Sequence, residues 1–271
     1  MSKWEIPELR WAKMPKGWVT SGGLKKFSEL NAEKHVDLVA MNTSLAALKV
    51  YLAICTRANY HTGIAKTTYE ELGKLVGHAR NVVGRSLQVL ENGGYIRRDT
   101  GKPRGGSLIY VENWLEEKSF SKIPKSWLYH GRGPKKDQST ENPETTLVKL
   151  KAFGLNKRLS LQALKIYVLL LAMRHRDYPD DDGLTVISYD KIAEYTDVGR
   201  HAVSPAITLL MEMNLITFRS GDPGGNDAMD FDRTNRYLIK GLNVRYQGLS
   251  VATSTHVPAA RTPAQPLQSG Q

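Results

Sequence analysis

The chain has 271 residues, of which 41% are hydrophobic, and carries a formal net charge of +11 with a pI near 9.6. This size allows one large or two small hydrophobic cores, and the charge favours a polyanionic partner. Because Cys55 is the single cysteine, an intramolecular disulfide and a zinc site built from cysteines are both excluded, which favours a reducing compartment.

Signals for secretion or membrane insertion are weak. The first residues, Met-Ser-Lys-Trp-Glu-Ile-Pro, lack the apolar stretch of a secretory signal. The longest apolar run, Ile166–Met173, is much shorter than the roughly 20 residues that span a bilayer. We therefore expect a soluble protein of the bacterial cytoplasm, associated with the nucleoid and not with a membrane.

Residues 1–12 are interpreted as an N-terminal arm that packs on a first domain, residues 13–129. That domain opens with Lys-Met-Pro-Lys-Gly-Trp. A helix should follow, with Ser44 as its N-cap because a serine hydroxyl satisfies free N–H groups at a helix start. The segment from Asn59 to Lys66 contains glycine and is predicted to be a loop.

Residues 69–111 predict two short helices followed by a β-hairpin. Apolar residues at helical spacing, including Leu72 and Leu87, give each helix one inward face. Gly77 permits a turn between the helices, and Gly93 with Gly94 ends the second one. The order is helix, turn, helix and hairpin, and a basic, glycine-rich loop connects the two strands.

The same pattern occurs a second time after residues 130–146, a stretch without aliphatic side chains that is interpreted as a flexible linker. Tyr189–Tyr195 matches Tyr69–Leu75, and each residue lies 120 positions after its match. Further matches link Ser160–Tyr167 with Ser44–Tyr51 and Lys122–Trp127 with Lys13–Trp18. A repeat of this length predicts a duplicated unit, with the second domain at residues 147–245 and a disordered tail at residues 246–271.

The helix-turn-helix and hairpin, with Leu-Glu-Asn-Gly-Gly-Tyr-Ile at residues 90–96, resemble the winged helix-turn-helix family of DNA-binding domains. The Ile-Pro-Lys lead-in at 123–125 and Leu-Ser-Leu-Gln-Ala-Leu-Lys-Ile-Tyr at 159–167 resemble plasmid and phage replication initiator proteins. The resemblance covers about residues 13–115 and 122–240. It implies a mainly α fold with small β-hairpins (α+β), made of two winged helix-turn-helix domains related by internal duplication.

Candidate DNA-binding residues of the first domain lie on its second helix and its wing. The apolar positions of the helix must face inward, so polar side chains near its start face outward, where arginine suits guanine and asparagine or glutamine suits adenine in the major groove. The mid-helix glycine, Gly84, costs stability and fits a close approach of the backbone to DNA. The wing is cationic and suits phosphates or the minor groove. The candidates are His78, Arg80, Asn81, Arg85, Gln88, Arg97, Arg98, Lys102 and Arg104.

The second domain departs from this pattern. Residues 66–115 hold eight basic and five acidic side chains, whereas residues 186–240 hold six basic and eight acidic ones. Pro205 stands where the first domain has Arg85, so this helix is expected to begin late or to bend. Its candidate DNA contacts are Arg200, His201, Ser204 and Thr208.

No catalytic site or cofactor is expected, since the seven histidines are scattered and no Gly-x-Ser-x-Gly motif occurs. The favoured function is sequence-specific binding of double-stranded DNA without catalysis. The resemblance implies a replication initiator at repeated origin sites, with host replication or transcription proteins as partners and possible self-association. A transcription regulator at an operator would use the same domains, and a protein-interaction scaffold is the third alternative because the second domain is acidic.

Overall fold

The computed structural model describes residues 10–31, 33, 35–99, 107–115, 120–130, 146–174, 183–219 and 235–242. These residues form α-helices, one short 3₁₀ helix and three small antiparallel sheets, which is a mixed α and β fold. The predicted tail, most of the predicted linker and the start of the predicted arm lie outside the described residues.

Helix α2, Leu38–Arg57, is the central helix of the N-terminal half. Its N-cap is Asp37, whose carboxylate accepts hydrogen bonds from the backbone N–H groups of Val39 and Ala40. The prediction of Ser44 as N-cap was wrong, because the helix starts earlier and the Ser44 hydroxyl donates to the Ser28 carbonyl instead. Ser160, its match in the second repeat, likewise lies inside a helix that starts at Arg158.

Every residue of α2 from Ser44 to Thr56 is buried. By length and composition α2 is long and apolar enough to cross a membrane, the single such helix within the described ranges. However, 72% of its most apolar window is buried inside the protein. A helix that is apolar on all sides and covered by other elements is typical of the core of a soluble protein.

The two short helices predicted between residues 69 and 92 are α3, Tyr69–Val76, and α4, Arg80–Asn92. Thr68 and Glu71 make a capping box at the start of α3, which satisfies two free N–H groups reciprocally. Gly77 has a φ of 71° and lets the chain turn into α4. Both α3 and α4 pack against α2, so the central helix fixes their positions.

A three-stranded antiparallel sheet completes the N-terminal unit, defined here as residues 38–111. The hairpin strands are β3, Ile96–Asp99, and β4, Ser107–Val111, and β4 also pairs with β2, Ile64–Thr67. The prediction of a loop up to Lys66 missed β2. Its alternating buried residues, Ala65 and Thr67, pair with residues of β4 that lie 44 and 40 positions away, which local patterns do not reveal.

The C-terminal unit, residues 158–239, has the same element order and the same sheet order. It consists of α7 (Arg158–Ala172), β6 (Leu184–Ile187), α8 (Tyr189–Thr196), α9 (Arg200–Glu212), β7 (Ile216–Arg219) and β8 (Asn235–Ile239). Two of its turns reproduce left-handed positions of the N-terminal unit with other residue types. Asp197 matches Gly77, with φ values of 55° and 71°, and Asn214 matches Gly94, with 54° and 73°.

Pro205 lies inside α9 and is exposed. The predicted late start of this helix was wrong, because α9 begins at Arg200, 120 positions after the start of α4. Proline at this position removes one backbone N–H donor but does not end the helix.

The two segments that lead into the units also pair with each other. Strand β1, Ala12–Pro15, is followed by α1, Gly17–Thr20, and strand β5, Phe120–Ile123, by α5, Lys125–His130. The two strands are antiparallel, with Lys13 opposite Lys122. These lysines are matched positions of the sequence repeat, 109 residues apart. The pairing of the two strands is therefore symmetric about Lys13 and Lys122, as in a contact between two copies related by a two-fold axis.

Each segment that precedes one unit also packs against the other unit. The 3₁₀ helix Gly23–Lys26 packs against α8, and α6, Val148–Lys151, packs against α3. Helices α2 and α7 also contact each other, and the buried Lys49 ammonium donates to the Phe153 carbonyl across the junction at 3.1 Å. The buried residues of both units therefore belong to one continuous hydrophobic core.

Candidate nucleic-acid interface

Helix α4 has one buried face and one polar exposed face. Val83, Leu87 and Leu90 are fully buried against the rest of the N-terminal unit. The opposite face exposes Arg80, Asn81, Arg85 and Gln88. This division follows from the 3.6-residue period of the apolar positions and leaves four polar side chains in one row on the surface.

The two arginines of this row are available for an external partner. Within the described part of the chain, the side chains of Arg80 and Arg85 make no hydrogen bond and no ion pair at contact distance. Asn81 uses its side-chain oxygen to accept from the adjacent Val82 N–H at 2.9 Å, which leaves its amide N–H₂ group exposed. An arginine side chain without a partner presents up to five donors to a ligand.

Gln88 is more constrained than the sequence suggested. Its amide nitrogen donates to the Asn92 side chain at 2.8 Å, and its oxygen accepts from Arg98 at 3.2 Å. It lies on the exposed face but already has partners on both polar atoms. Binding of adenine by Gln88 would require that these hydrogen bonds be exchanged.

Gly84 lies in the middle of α4 and is half-buried. The nearest atom to an added Cβ would be Tyr69 Cε2 at 3.9 Å, which is an ordinary van der Waals distance. The protein itself therefore leaves room for alanine at this position, although glycine costs a helix about 1 kcal/mol relative to alanine.

The two arginines of β3 have different environments. Arg98 is a structural residue: its guanidinium binds the Glu91 carboxylate and donates to the Tyr69 hydroxyl at 2.8 Å, and its side chain is only 13% exposed. These hydrogen bonds lower the pKa of Glu91. Arg97 is exposed and stacks on the Tyr110 ring at 4.3 Å, with Glu112 at 3.7 Å. Lys102 and Arg104, the other candidates of the predicted wing, lie outside the described residues.

His78 occupies the turn between α3 and α4 and does not extend along the exposed face. It is half-buried, and its Nε2 atom is buried without a hydrogen-bond partner within the ranges described. Burial, together with the nearby Lys49 ammonium, lowers the pKa of His78 to about 4. The imidazole is therefore neutral at pH 7 and adds no positive charge to the surface.

The corresponding surface of the C-terminal unit has its charge partly neutralised. Arg200 donates to the Asp190 carboxylate at 2.7 Å and lies over the Tyr189 ring at 4.7 Å, while Lys191 pairs with Glu194 at 2.8 Å. The other three candidates of this unit are exposed on α9: His201, Ser204 and Thr208. The Thr208 hydroxyl donates to the Ser204 carbonyl within the helix.

Two buried lysines were not recognised from the sequence. Lys49 and Lys165 are matched positions of α2 and α7, each at most 4% exposed, and burial lowers the pKa of both to about 8. The sequence did contain a signal for these buried lysines. Each one follows Ala-Leu and precedes a β-branched residue and tyrosine, so it interrupts the inward face of an otherwise apolar helix.

The described residues offer little for a metal site or a reactive thiol. Among the described residues no group of three or more His, Cys, Asp and Glu side chains is close enough to hold a metal ion. Cys55 is fully buried, and burial raises the pKa of its thiol, so it is a small core residue.

No protein-family model matches the chain, and no curated protein matches it significantly.

Proposed function

We propose that the N-terminal and C-terminal units are two winged helix-turn-helix domains that arose by internal duplication. The identical element order, the identical sheet order and the left-handed turns at matched positions support this proposal. The register of β1 with β5, which is symmetric about Lys13 and Lys122, supports it independently. In this proposal α4 and α9 are the recognition helices, and the β3–β4 and β7–β8 hairpins are the wings.

We further propose that the protein binds double-stranded DNA in a sequence-specific manner, with α4 in the major groove. The observation that carries this proposal is the row on α4, opposite a fully buried face, in which Arg80 and Arg85 are exposed. Among the described residues neither side chain makes a hydrogen bond or a salt bridge, and Arg80 has a longer-range attraction to the Glu70 carboxylate. Arginine makes bidentate contacts to guanine O6 and N7, and asparagine does so to adenine N6 and N7. Arg80, Asn81 and Arg85 are therefore the proposed base contacts, and Arg97 is a proposed phosphate contact on the wing.

The C-terminal unit takes a smaller part in this proposal. Arg200 and Lys191 are already paired with carboxylates, which reduces the positive field around α9. His201, Ser204 and Thr208 still offer donors and acceptors on its exposed face. The two units would then read two half-sites of unequal strength, about one helical turn of DNA apart.

The biological role proposed is that of a replication initiator of a plasmid or phage-like element, which binds repeated origin sites in the cytoplasm and contacts host replication proteins. The resemblance of residues 123–125 and 159–167 to such initiators supports this role. Control of transcription at an operator is the alternative use of the same DNA-binding surface.

The test is selection of bound duplexes from a random pool, followed by mapping of the enriched sequence onto the DNA of the host element. Enrichment of one motif that recurs within an origin supports the initiator role, and enrichment of a motif at a promoter supports the alternative. A pool without enrichment at moderate salt contradicts sequence-specific binding.

The matched variants are Arg80→Ala with Arg85→Ala, and Lys26→Ala with Lys157→Ala. Both pairs remove two exposed cations, but only the first pair lies on α4. Loss of specific binding in the first pair alone is expected. If the first pair retains full biological activity, the protein-interaction scaffold becomes the better interpretation.

A further inference from the structure

An open cleft of about 530 Å³ lies beside the start of α4, between α3 and α6. It is lined from the N-terminal unit by Glu70, Lys74, His78 and Arg80, and from the segment that leads into the C-terminal unit by Thr146 and Lys151. Residues from both halves of the sequence therefore share one cavity next to the proposed recognition helix.

The segment that carries Lys151 is fixed to α3 by hydrogen bonds. The Leu147 N–H donates to the Leu75 carbonyl at 2.8 Å, and the Thr146 hydroxyl donates to the Lys74 carbonyl at 3.4 Å. Leu147 and Leu150 are fully buried, so α6 is anchored by its apolar face as well. Lys151, on the exposed side of α6, is thereby held at the rim of the cleft.

Gly77 allows the Lys151 side chain to approach the turn. A Cβ added at Gly77 would lie 2.8 Å from Lys151 Cγ, which is too close unless the lysine moves. The φ of 71° at this position disfavours other residues except those, such as asparagine and aspartate, that tolerate left-handed backbone.

The C-terminal unit contains the matched region, and it supplies an internal comparison. The 3₁₀ helix that carries Lys25 packs against α8, as α6 packs against α3. At positions 120 residues later, Glu194 replaces Lys74, Asp197 replaces Gly77 and Val198 replaces His78. The duplicated fold has therefore kept the geometry while the charge at these positions has changed.

The two regions differ in their charge balance. In the cleft, Lys74, Arg80 and Lys151 outnumber a single carboxylate, Glu70, which already pairs with Lys74 at 2.8 Å. In the matched region, Lys25, Lys191 and Arg200 face an equal number of carboxylates, those of Asp190, Glu194 and Asp197. The first region, which has an excess of cations, is therefore better suited to an anion.

We propose that the cleft receives a backbone phosphate of the DNA duplex, and that Lys151 is a phosphate contact contributed by α6. This inference rests on the proposed function. It agrees with the general geometry of helix-turn-helix complexes, in which the first helix crosses the sugar-phosphate backbone while the second enters the groove. It adds that the chain beyond the first winged helix completes the DNA surface of that domain, so docking of the two halves contributes to affinity.

The primary test compares Lys151→Gln with Lys25→Gln in the full chain. Each variant removes one exposed lysine that directly follows a buried leucine, Leu150 in α6 or Leu24 in the 3₁₀ helix. Equilibrium binding to a selected duplex is measured at several salt concentrations. Each neutralised phosphate contributes about 0.9 to the slope of log affinity against log salt, so over a fourfold rise in salt the affinity of Lys151→Gln should fall about 3.5-fold less than that of the wild type.

The expected result is a lower slope for Lys151→Gln and an unchanged slope for Lys25→Gln. An unchanged slope for Lys151→Gln, or an equal loss in both variants, overturns this inference while leaving DNA binding by α4 intact. Absence of any salt-dependent duplex binding by the wild type would instead overturn the proposed function itself.

A second pair of variants tests the sign of the charge in the cleft. Gly77→Asp introduces the carboxylate found at position 197, and Gly77→Asn introduces a neutral side chain of the same shape. The two side chains have nearly the same size and both tolerate left-handed backbone, so the difference between the variants reports mainly their charge. Binding at least threefold weaker for Gly77→Asp than for Gly77→Asn supports the phosphate site, and equal binding at low salt contradicts it.

Discussion

Replacement of Gly84 by alanine should separate the stability of α4 from its function. Among the described residues outside α4, the added methyl meets only Tyr69 Cε2, at 3.9 Å, so no clash with them offsets the better helix propensity of alanine. The free energy of unfolding should therefore rise by about 1 kcal/mol. For a chain of this size that gain corresponds to a Tm about 2–4 °C higher.

Affinity for DNA should change in the opposite direction. If glycine is present because the backbone of α4 approaches the duplex closely, the methyl group should weaken binding about tenfold, or about 1.4 kcal/mol. Thermal unfolding and equilibrium binding to the selected duplex measure the two effects in the same preparation. Gly154→Ala, where an added Cβ would lie 3.7 Å from Lys157 Cδ, is the control that should leave affinity unchanged. A more stable Gly84→Ala variant with full affinity would refute the close approach.

Two further predictions concern residues near α4. Arg98→Met should lower the free energy of unfolding by about 2 kcal/mol, because it removes charged hydrogen bonds and leaves Glu91 unpaired, and chemical denaturation measures the loss. The salt dependence of DNA binding should not change in this variant, and a lower slope would mean that Arg98 contacts phosphate. His78 has a folded pKa of about 4, below its unfolded value of 6.5, so its contribution to stability is present above pH 6.5 and is lost as the pH falls towards 4. Between pH 7 and pH 5 the free energy of unfolding of the wild type should fall by roughly 1–2 kcal/mol. His78→Val, which carries the residue found at position 198, should not show this fall. Parallel pH profiles of the two proteins would contradict the burial of a neutral imidazole.

Local signals were sufficient for α3, α4 and the turns around them. The inward face of α4, its end at Gly93 and the left-handed turn at Gly77 all follow from the apolar period and the placement of glycine. Long-range pairing was missed, because β2 and β6 are edge strands whose partners lie far away in the sequence. The contact of β1 with β5 was missed for the same reason, although both segments had been recognised as a repeat.

The sequence could not show which candidate DNA-binding side chains are held by other residues, because those neighbours are distant in the sequence. Arg97 and Arg98 are adjacent and chemically identical, yet Arg98 is held by Glu91 and Tyr69 while Arg97 is exposed. His78 is close to α4 in sequence but is half-buried at the turn. Lys151 was missed as a candidate because it lies 59 residues beyond the end of α4, and α6 brings it to the cleft.

The most direct measurement of major-groove binding by α4 is chemical protection of guanine N7 on the selected duplex. Bidentate contact by Arg80 or Arg85 should shield individual guanines, because N7 lies in the major groove. We expect the wild type to protect specific guanines, Arg80→Ala and Arg85→Ala each to restore reactivity at a different one, and Lys26→Ala with Lys157→Ala to leave the pattern unchanged. Uniform reactivity of every guanine in the saturated wild-type complex would contradict the proposed placement of α4.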